Sequence, residues 1–122
     1  MSNQAKLNRG LAAISEAKAL AARNDEHMWE AELDRVEGEL RQAQGAPAMD
    51  IEACFARAIG IARQQSTKSL ELRATVSLAR LWAEQGRRAE ARELLAPVYG
   101  WFTEGFDTAD LKEAKALLDH LA

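Results

Sequence analysis

The stretch Ser77-Leu78-Ala79-Arg80-Leu81-Trp82-Ala83-Glu84-Gln85-Gly86-Arg87-Arg88-Ala89-Glu90-Ala91-Arg92-Glu93-Leu94-Leu95 decides the fold class. It holds two apolar patterns at helical spacing: Leu78, Leu81 and Trp82 before Gly86, and Ala91, Leu94 and Leu95 after it. Glycine at a helix end takes the left-handed turn that a residue with a Cβ adopts only at a cost. A small residue in mid-helix, here Ala79, lets a neighbouring helix approach closely. The stretch therefore reads as a helix, a tight glycine turn and an antiparallel helix.

The same arrangement stands upstream. Gly38 precedes Gly45 by seven residues, as Ala79 precedes Gly86. Ile51, Phe55 and Ala58 then correspond to Ala91, Leu95 and Val98. The closing glycines lie 41 residues apart and the large apolar residues 40 apart, which is an internal repeat. Such a unit cannot bury its apolar stripe alone, so units must stack.

Working outward, apolar periodicity predicts six helices. The first covers about 3–23, with Leu7, Leu11, Ile14 and Leu20 on one stripe. The second covers about 27–44, with Trp29, Leu33, Val36 and Leu40 at steps of four, three and four residues. Gly45-Ala46-Pro47 breaks the chain before a third over 48–64, carrying Ile51, Phe55, Ile59 and Ala62. A fourth spans about 68–85, with Leu70, Ala74, Leu78, Leu81 and Trp82 inward. The fifth starts near Arg87 and, because the apolar pattern persists beyond Pro97, is expected to kink there and run on to about Thr103. Asp107 or Thr108 is placed to cap a sixth over 108–121, with Leu111, Ala114, Leu117, Leu118 and Leu121. Short connections between them imply sequential antiparallel neighbours.

Composition agrees. Of 122 residues, 48% are apolar and 29% charged, with only two prolines, which argues for one folded domain. Ala and Leu dominate, the best helix formers. Net charge is −3, against nucleic acid or an anionic membrane as main partner. It is unevenly spread: −3 over residues 1–50, +4 over 51–92 and −4 over 93–122. The basic block of Arg57, Arg63, Lys68, Arg73, Arg80, Arg87, Arg88 and Arg92 reads either as solvated helix faces or as a dock for an acidic peptide. The single Cys54 excludes an internal disulfide and points to a reducing, cytoplasmic setting. No secretory pattern or membrane-length apolar run occurs in the sequence.

From Ser77 to Leu95 the sequence resembles the tetratricopeptide repeat (TPR). Leu78, Ala79 and Trp82 stand for the signature of the repeat's first helix, Gln85-Gly86 for its turn, and Glu90-Ala91 with Leu95 for its second helix. The unit through Gly38, Gly45, Phe55 and Ala58 matches more loosely, and residues 10–20 look like the second half of a preceding repeat. The period exceeds the family's usual ~34 residues. The resemblance implies an all-α fold, antiparallel helix pairs stacked as a short right-handed TPR-like α-solenoid. Residues 1–122 form one domain: a half repeat over 1–26, repeats over 27–64 and 68–103, and a capping helix over 107–122. A narrower resemblance, through Leu81-Trp82, Gln85-Gly86, the stretch Leu94 to Thr108 and Asp110 to Ala114, is to the C-terminal helical repeats of large bacterial signalling ATPases.

The family binds ligands along the concave face. Its groove positions, carried over residue by residue, are Glu32, Arg35, Glu39 and Gln42 in one unit and Arg73, Ser77, Arg80 and Glu84 in the next. Arg73 and Arg80 are spaced to fork onto an acidic side chain, with pairing to Glu84 as the alternative. The Lys and Asn of the carboxylate-clamp subgroup are absent. Trp101, Phe102 and Phe106 are either a seal on the last helix or an apolar anchor site.

Signals for chemistry are weak. There is no phosphate-binding loop, and His27 and His120 stand at opposite ends without metal-ligand spacing. Cys54 reads as a small core residue. The carboxylates Asp25, Glu26, Glu30, Glu32, Asp34, Glu37 and Glu39 read as a solvated face with partners such as Arg41 for Glu37. The expectation is a non-enzymatic protein-interaction or scaffold module without cofactor or metal. Its partner would be a protein or peptide segment, with self-association through the N-terminal half repeat. The alternative is a small-ligand sensor, which requires a closed apolar pocket near Trp101–Phe106.

Overall fold

The computed structural model describes residues 3–23, 29–103 and 108–122, and these are all-α. Six helices follow in order: α1 Asn3–Arg23, α2 Glu30–Ala43, α3 Ala48–Gln64, α4 Lys68–Glu84, α5 Arg88–Tyr99 and α6 Ala109–Leu121. The part of the second helix expected at residues 27 and 28 lies outside the described residues.

The ends of α2, α3 and α4 share one backbone device. Gly45 has φ +78° and Gly86 φ +81°. At each, two amide N–H groups reach back into the last turn: Gly45 to Gln42 and Ala46 to Arg41, Gly86 to Ala83 and Arg87 to Trp82. The end of α3 is built the same way, Ser66 donating to Arg63 and Thr67 to Ala62. Its left-handed residue is Ser66, at φ 56°. Thr108 caps α6, its Oγ1 accepting from the Leu111 N–H at 3.5 Å.

The fifth helix is shorter than its apolar pattern. It passes through Pro97 and stops at Tyr99. Trp101 and Phe102 then donate to the carbonyls three residues back, Val98 and Tyr99. The helical ladder is thus already thinned by the missing Pro97 donor and closes at Gly100 in tight turns.

Sequential neighbours pack together, and in addition α2 touches α4 and α4 touches α6. Neither α1 with α3 nor α3 with α5 makes such a contact among the described residues. The even helices therefore form one layer, the inner one, and α3 and α5 the other, an arrangement consistent with stacked antiparallel helix pairs.

Packing begins where α2 meets α3. A Cβ on Gly38 would lie 2.6 Å from Phe55 Cε1, so glycine is what lets the fully buried Phe55 ring lie against α2. Phe55 joins Ile51, Ala58 and Ile59 of α3 with Ala74, Leu78 and Leu81 of α4. A second cluster joins Leu72, Val76 and Ala79 of α4 to Ala91, Leu95 and Val98 of α5 and to Leu111, Ala114, Leu117 and Leu121 of α6. A smaller one holds Ala31, Ala62 and Leu70.

The apolar stripes of α1 and α2 are only partly buried. On α2 the buried side is Ala31, Asp34 and Gly38, while Leu33, Val36 and Leu40 are half-buried and Trp29 is 55% exposed. On α1, Leu7, Leu11 and Ile14 are half-buried, Leu20 is 52% exposed, and no described side chain is buried. Polar contacts add to this partial apolar packing. Lys18 donates to Asp34 and to Glu37, the latter at 2.7 Å, and Asn8 accepts from Gln44 at 2.8 Å.

Candidate protein-binding groove

The inner layer places α2, α4 and α6 side by side, and their polar faces meet in an open cleft of about 190 Å³. On α2, Glu32, Arg35 and Glu39 recur at three- and four-residue steps, hence on one face. Arg35 takes Glu32 on Nε and Nη2, and Glu39 on Nη1 at 2.9 Å. The Glu32 carboxylate outweighs partial desolvation and holds the Arg35 guanidinium above its ordinary pKa.

On α4, Arg73, Ser77 and Arg80 share the face toward α2 and α6. Ser77 donates to Glu39 at 3.3 Å, and Arg73 Nη1 lies 3.7 Å from Glu32. Gln42 and Glu84 pair at 3.0 Å, Gln42 donating. Five of the eight groove positions named from the sequence, Arg35, Glu39, Arg73, Ser77 and Arg80, line the cleft. Glu32, Gln42 and Glu84 flank it through these pairs.

The third wall was missed by sequence reasoning. From α6, Asp110 accepts from Arg73 Nε at 2.9 Å, and Glu113 accepts from Arg80. The expected Arg80–Glu84 pair is absent among the described contacts, because Glu113 holds the guanidinium and Gln42 holds Glu84. The signal was present in the opposite charges of residues 51–92 and 93–122.

The rest of the basic block is also largely engaged. Arg63 pairs with the buried Glu71 at 2.8 Å, Arg57 with Asp34 at 3.5 Å and Arg87 with Glu90 at 2.6 Å. Arg88 donates to the His120 carbonyl. Arg87 also lies 4.4 Å from the Trp82 ring centroid, while Trp82 Nε1 donates to Glu52 at 3.2 Å. All eight residues of the block except the half-buried Arg87 are exposed, so it is a solvated face laced with ion pairs.

Asp34 corrects the reading of the α2 carboxylates as a solvated face, being only 4% exposed. With Glu37 it forms an ionic junction to Lys18, Arg57 and Arg41, the Glu37–Arg41 pair measuring 3.0 Å. Burial pushes the Glu37 carboxyl up, but hydrogen bonds from Lys18 and Arg41 outweigh it and bring it down to about 2. Cys54 is buried, and its Sγ donates to Glu37 at 3.5 Å. Burial and then the Glu37 charge push its thiol up, the opposite of what an attacking thiolate needs.

The aromatic anchor is divided. Phe102 packs half-buried against the α4–α5–α6 cluster. Trp101 is 44% exposed, beside a hollow lined by Arg63, Ser66, Lys68 and Glu71 of the α3–α4 corner. Phe106 lies outside the described residues. That hollow is open, and residues 104–107, which belong to the pocket a small-ligand sensor requires near Trp101–Phe106, lie outside the described residues.

Among the described residues, no group of three or more His, Cys, Asp or Glu is placed to hold a metal ion. No helix among them is long and apolar enough to cross a membrane. In comparison with known proteins, the chain matches no family model, no curated protein and no solved structure.

Proposed function

We propose that this chain is a non-enzymatic TPR-like interaction module that holds a protein or peptide segment in the cleft along α2, α4 and α6. One observation carries the reading. Three successive inner-layer helices turn cations and carboxylates toward one open groove, with Val76 at its floor. Arg73 and Arg80 each meet α6 through one described nitrogen of the guanidinium fork, which leaves donors for a second acceptor. A segment carrying both signs of charge fits best, its carboxylates reaching Arg73 and Arg80 while its cations meet Glu39 and Glu113. The resemblance to helical repeats of bacterial signalling proteins supports a scaffold role in a cytoplasmic regulatory protein.

The test is a peptide-display selection on the immobilised chain, repeated with the Arg73→Gln, Arg80→Gln double variant. Peptides that bind the parent and lose at least ~10-fold in affinity to the variant support the reading. Failure to select any peptide, or peptides indifferent to both substitutions, would overturn it.

A further inference from the structure

A second surface, separate from the groove, lies on α1. Its inner side meets α2 through Gly10, where a Cβ would come within 3.2 Å of Leu40, and through Lys18 and Asn8 on the polar flanks. At 100° per residue, the opposite side of the helix carries Ala5, Arg9, Ala12, Ala13, Glu16 and Leu20. Ala5 is half-buried and the other five are exposed. Spaced by three and four residues, they form one continuous face of the kind that packs against another helix.

This face is complementary to itself. A two-fold axis passing between Ala12 and Ala13 maps Ala12 onto Ala13, Arg9 onto Glu16 and Ala5 onto Leu20. Two copies of α1 laid antiparallel would therefore set Arg9 of each against Glu16 of the other, on both sides of the axis. The alanines at the centre let the helix axes approach to the short end of the usual ~8–10 Å range. Leu20, otherwise in water, covers Ala5 of the other copy. Glu16 has no described partner within the chain, and Arg9, which does have an interaction there, carries further guanidinium donors for a second acceptor. Parallel alignment would instead set Arg9 against Arg9 and Glu16 against Glu16.

We propose that two copies of this chain associate through antiparallel pairing of α1, with the Arg9–Glu16 contacts fixing the register. The proposal stands independently of the groove. α1 has 21 residues, about 30 Å at 1.5 Å per residue. One helix pair of that length buries less than the ~1,200 Å² of a standard stable interface, so the dimer is concentration-dependent and weakened by salt.

The test is sedimentation equilibrium over a concentration series up to ~1 mM, with thermal melts to establish that each variant stays folded. Arg9→Glu and Glu16→Arg, each alone, should weaken the dimer at least ~10-fold, because each creates two like-charge contacts. Mixing those two variants should restore association, as should combining both substitutions in one chain. A monomer at every concentration would overturn the proposal, and so would a dimer indifferent to these substitutions. A dimer lost only in the Arg73→Gln, Arg80→Gln variant would place self-association in the groove and equally overturn it.

Discussion

Gly38 of α2 and Phe55 of α3 occupy one space: the glycine has no Cβ where the aromatic ring lies, and the ring is wholly buried as a result. Gly38→Ala improves helix propensity by up to ~1 kcal/mol. It also drives a methyl group into the Phe55 ring, and overpacking of this kind costs about 1–3 kcal/mol. The expected outcome is a net loss of roughly 1–2 kcal/mol in urea denaturation, recovered in part by Phe55→Leu in the same chain.

Ser66 performs at the end of α3 what Gly45 and Gly86 perform at the ends of α2 and α4. A residue with a Cβ in the left-handed region carries a strain of about 1–2 kcal/mol. Ser66→Gly should therefore stabilise the domain by roughly 0.5–1 kcal/mol, after the added freedom of glycine in the unfolded chain is subtracted. The readout is a rise in denaturation midpoint with an unchanged slope.

Thr75 is fully buried on α4, and its Oγ1 has no partner among the described residues. Valine has nearly the same shape and no hydroxyl to desolvate. Thr75→Val should stabilise by about 1 kcal/mol, and Thr75→Ala should destabilise by a similar amount through lost packing. Thermal melts of the two variants check both signs.

Against the upward push of burial, hydrogen bonds from Lys18 and Arg41 hold the Glu37 carboxyl down at about 2 in the folded chain, against an ordinary value of 4.5. A carboxylate with a depressed folded pKa stabilises the fold above its unfolded value, and that contribution is lost as pH falls through the folded value. Stability should therefore decline between about pH 4.5 and 2, by ~1–2 kcal/mol from this group after discounting for solvent screening. Lys18→Met should flatten that decline and lower stability at pH 7, as shown by urea titrations at several pH values.

The fold was legible where glycine or bulky apolar residues carry the geometry. Gly45, Gly86 and the match of Phe55 to Leu95 mark the repeat because left-handed turns and core-filling side chains admit few alternatives. Ser66 was hidden, since serine at a helix end has no such signature. The side of α2 that packs on α3 was not apparent because Ala31, Asp34 and Gly38 contribute little bulk there, and Phe55 fills the space from the other helix. Leu33, Val36 and Leu40 look like a core stripe and lie half-buried. For the groove, the resemblance to the repeat family supplied the α2 and α4 positions. It missed Asp110 and Glu113 because α6 read as a cap, and a helix that caps one side of a core still has a polar edge to offer its neighbour.

The central helix α4 buries ten of its 17 residues and feeds all three apolar clusters. Repeat arrays without such a member unzip from their ends one unit at a time. Here no cluster survives the departure of α4, so α3 through α6 should melt together, as one cooperative unit, with amide protons in α4 exchanging only through global unfolding. Among the described residues α1 contributes to none of those clusters, so it should peel away first, at a fraction of that free energy, while the rest of the molecule keeps its shape.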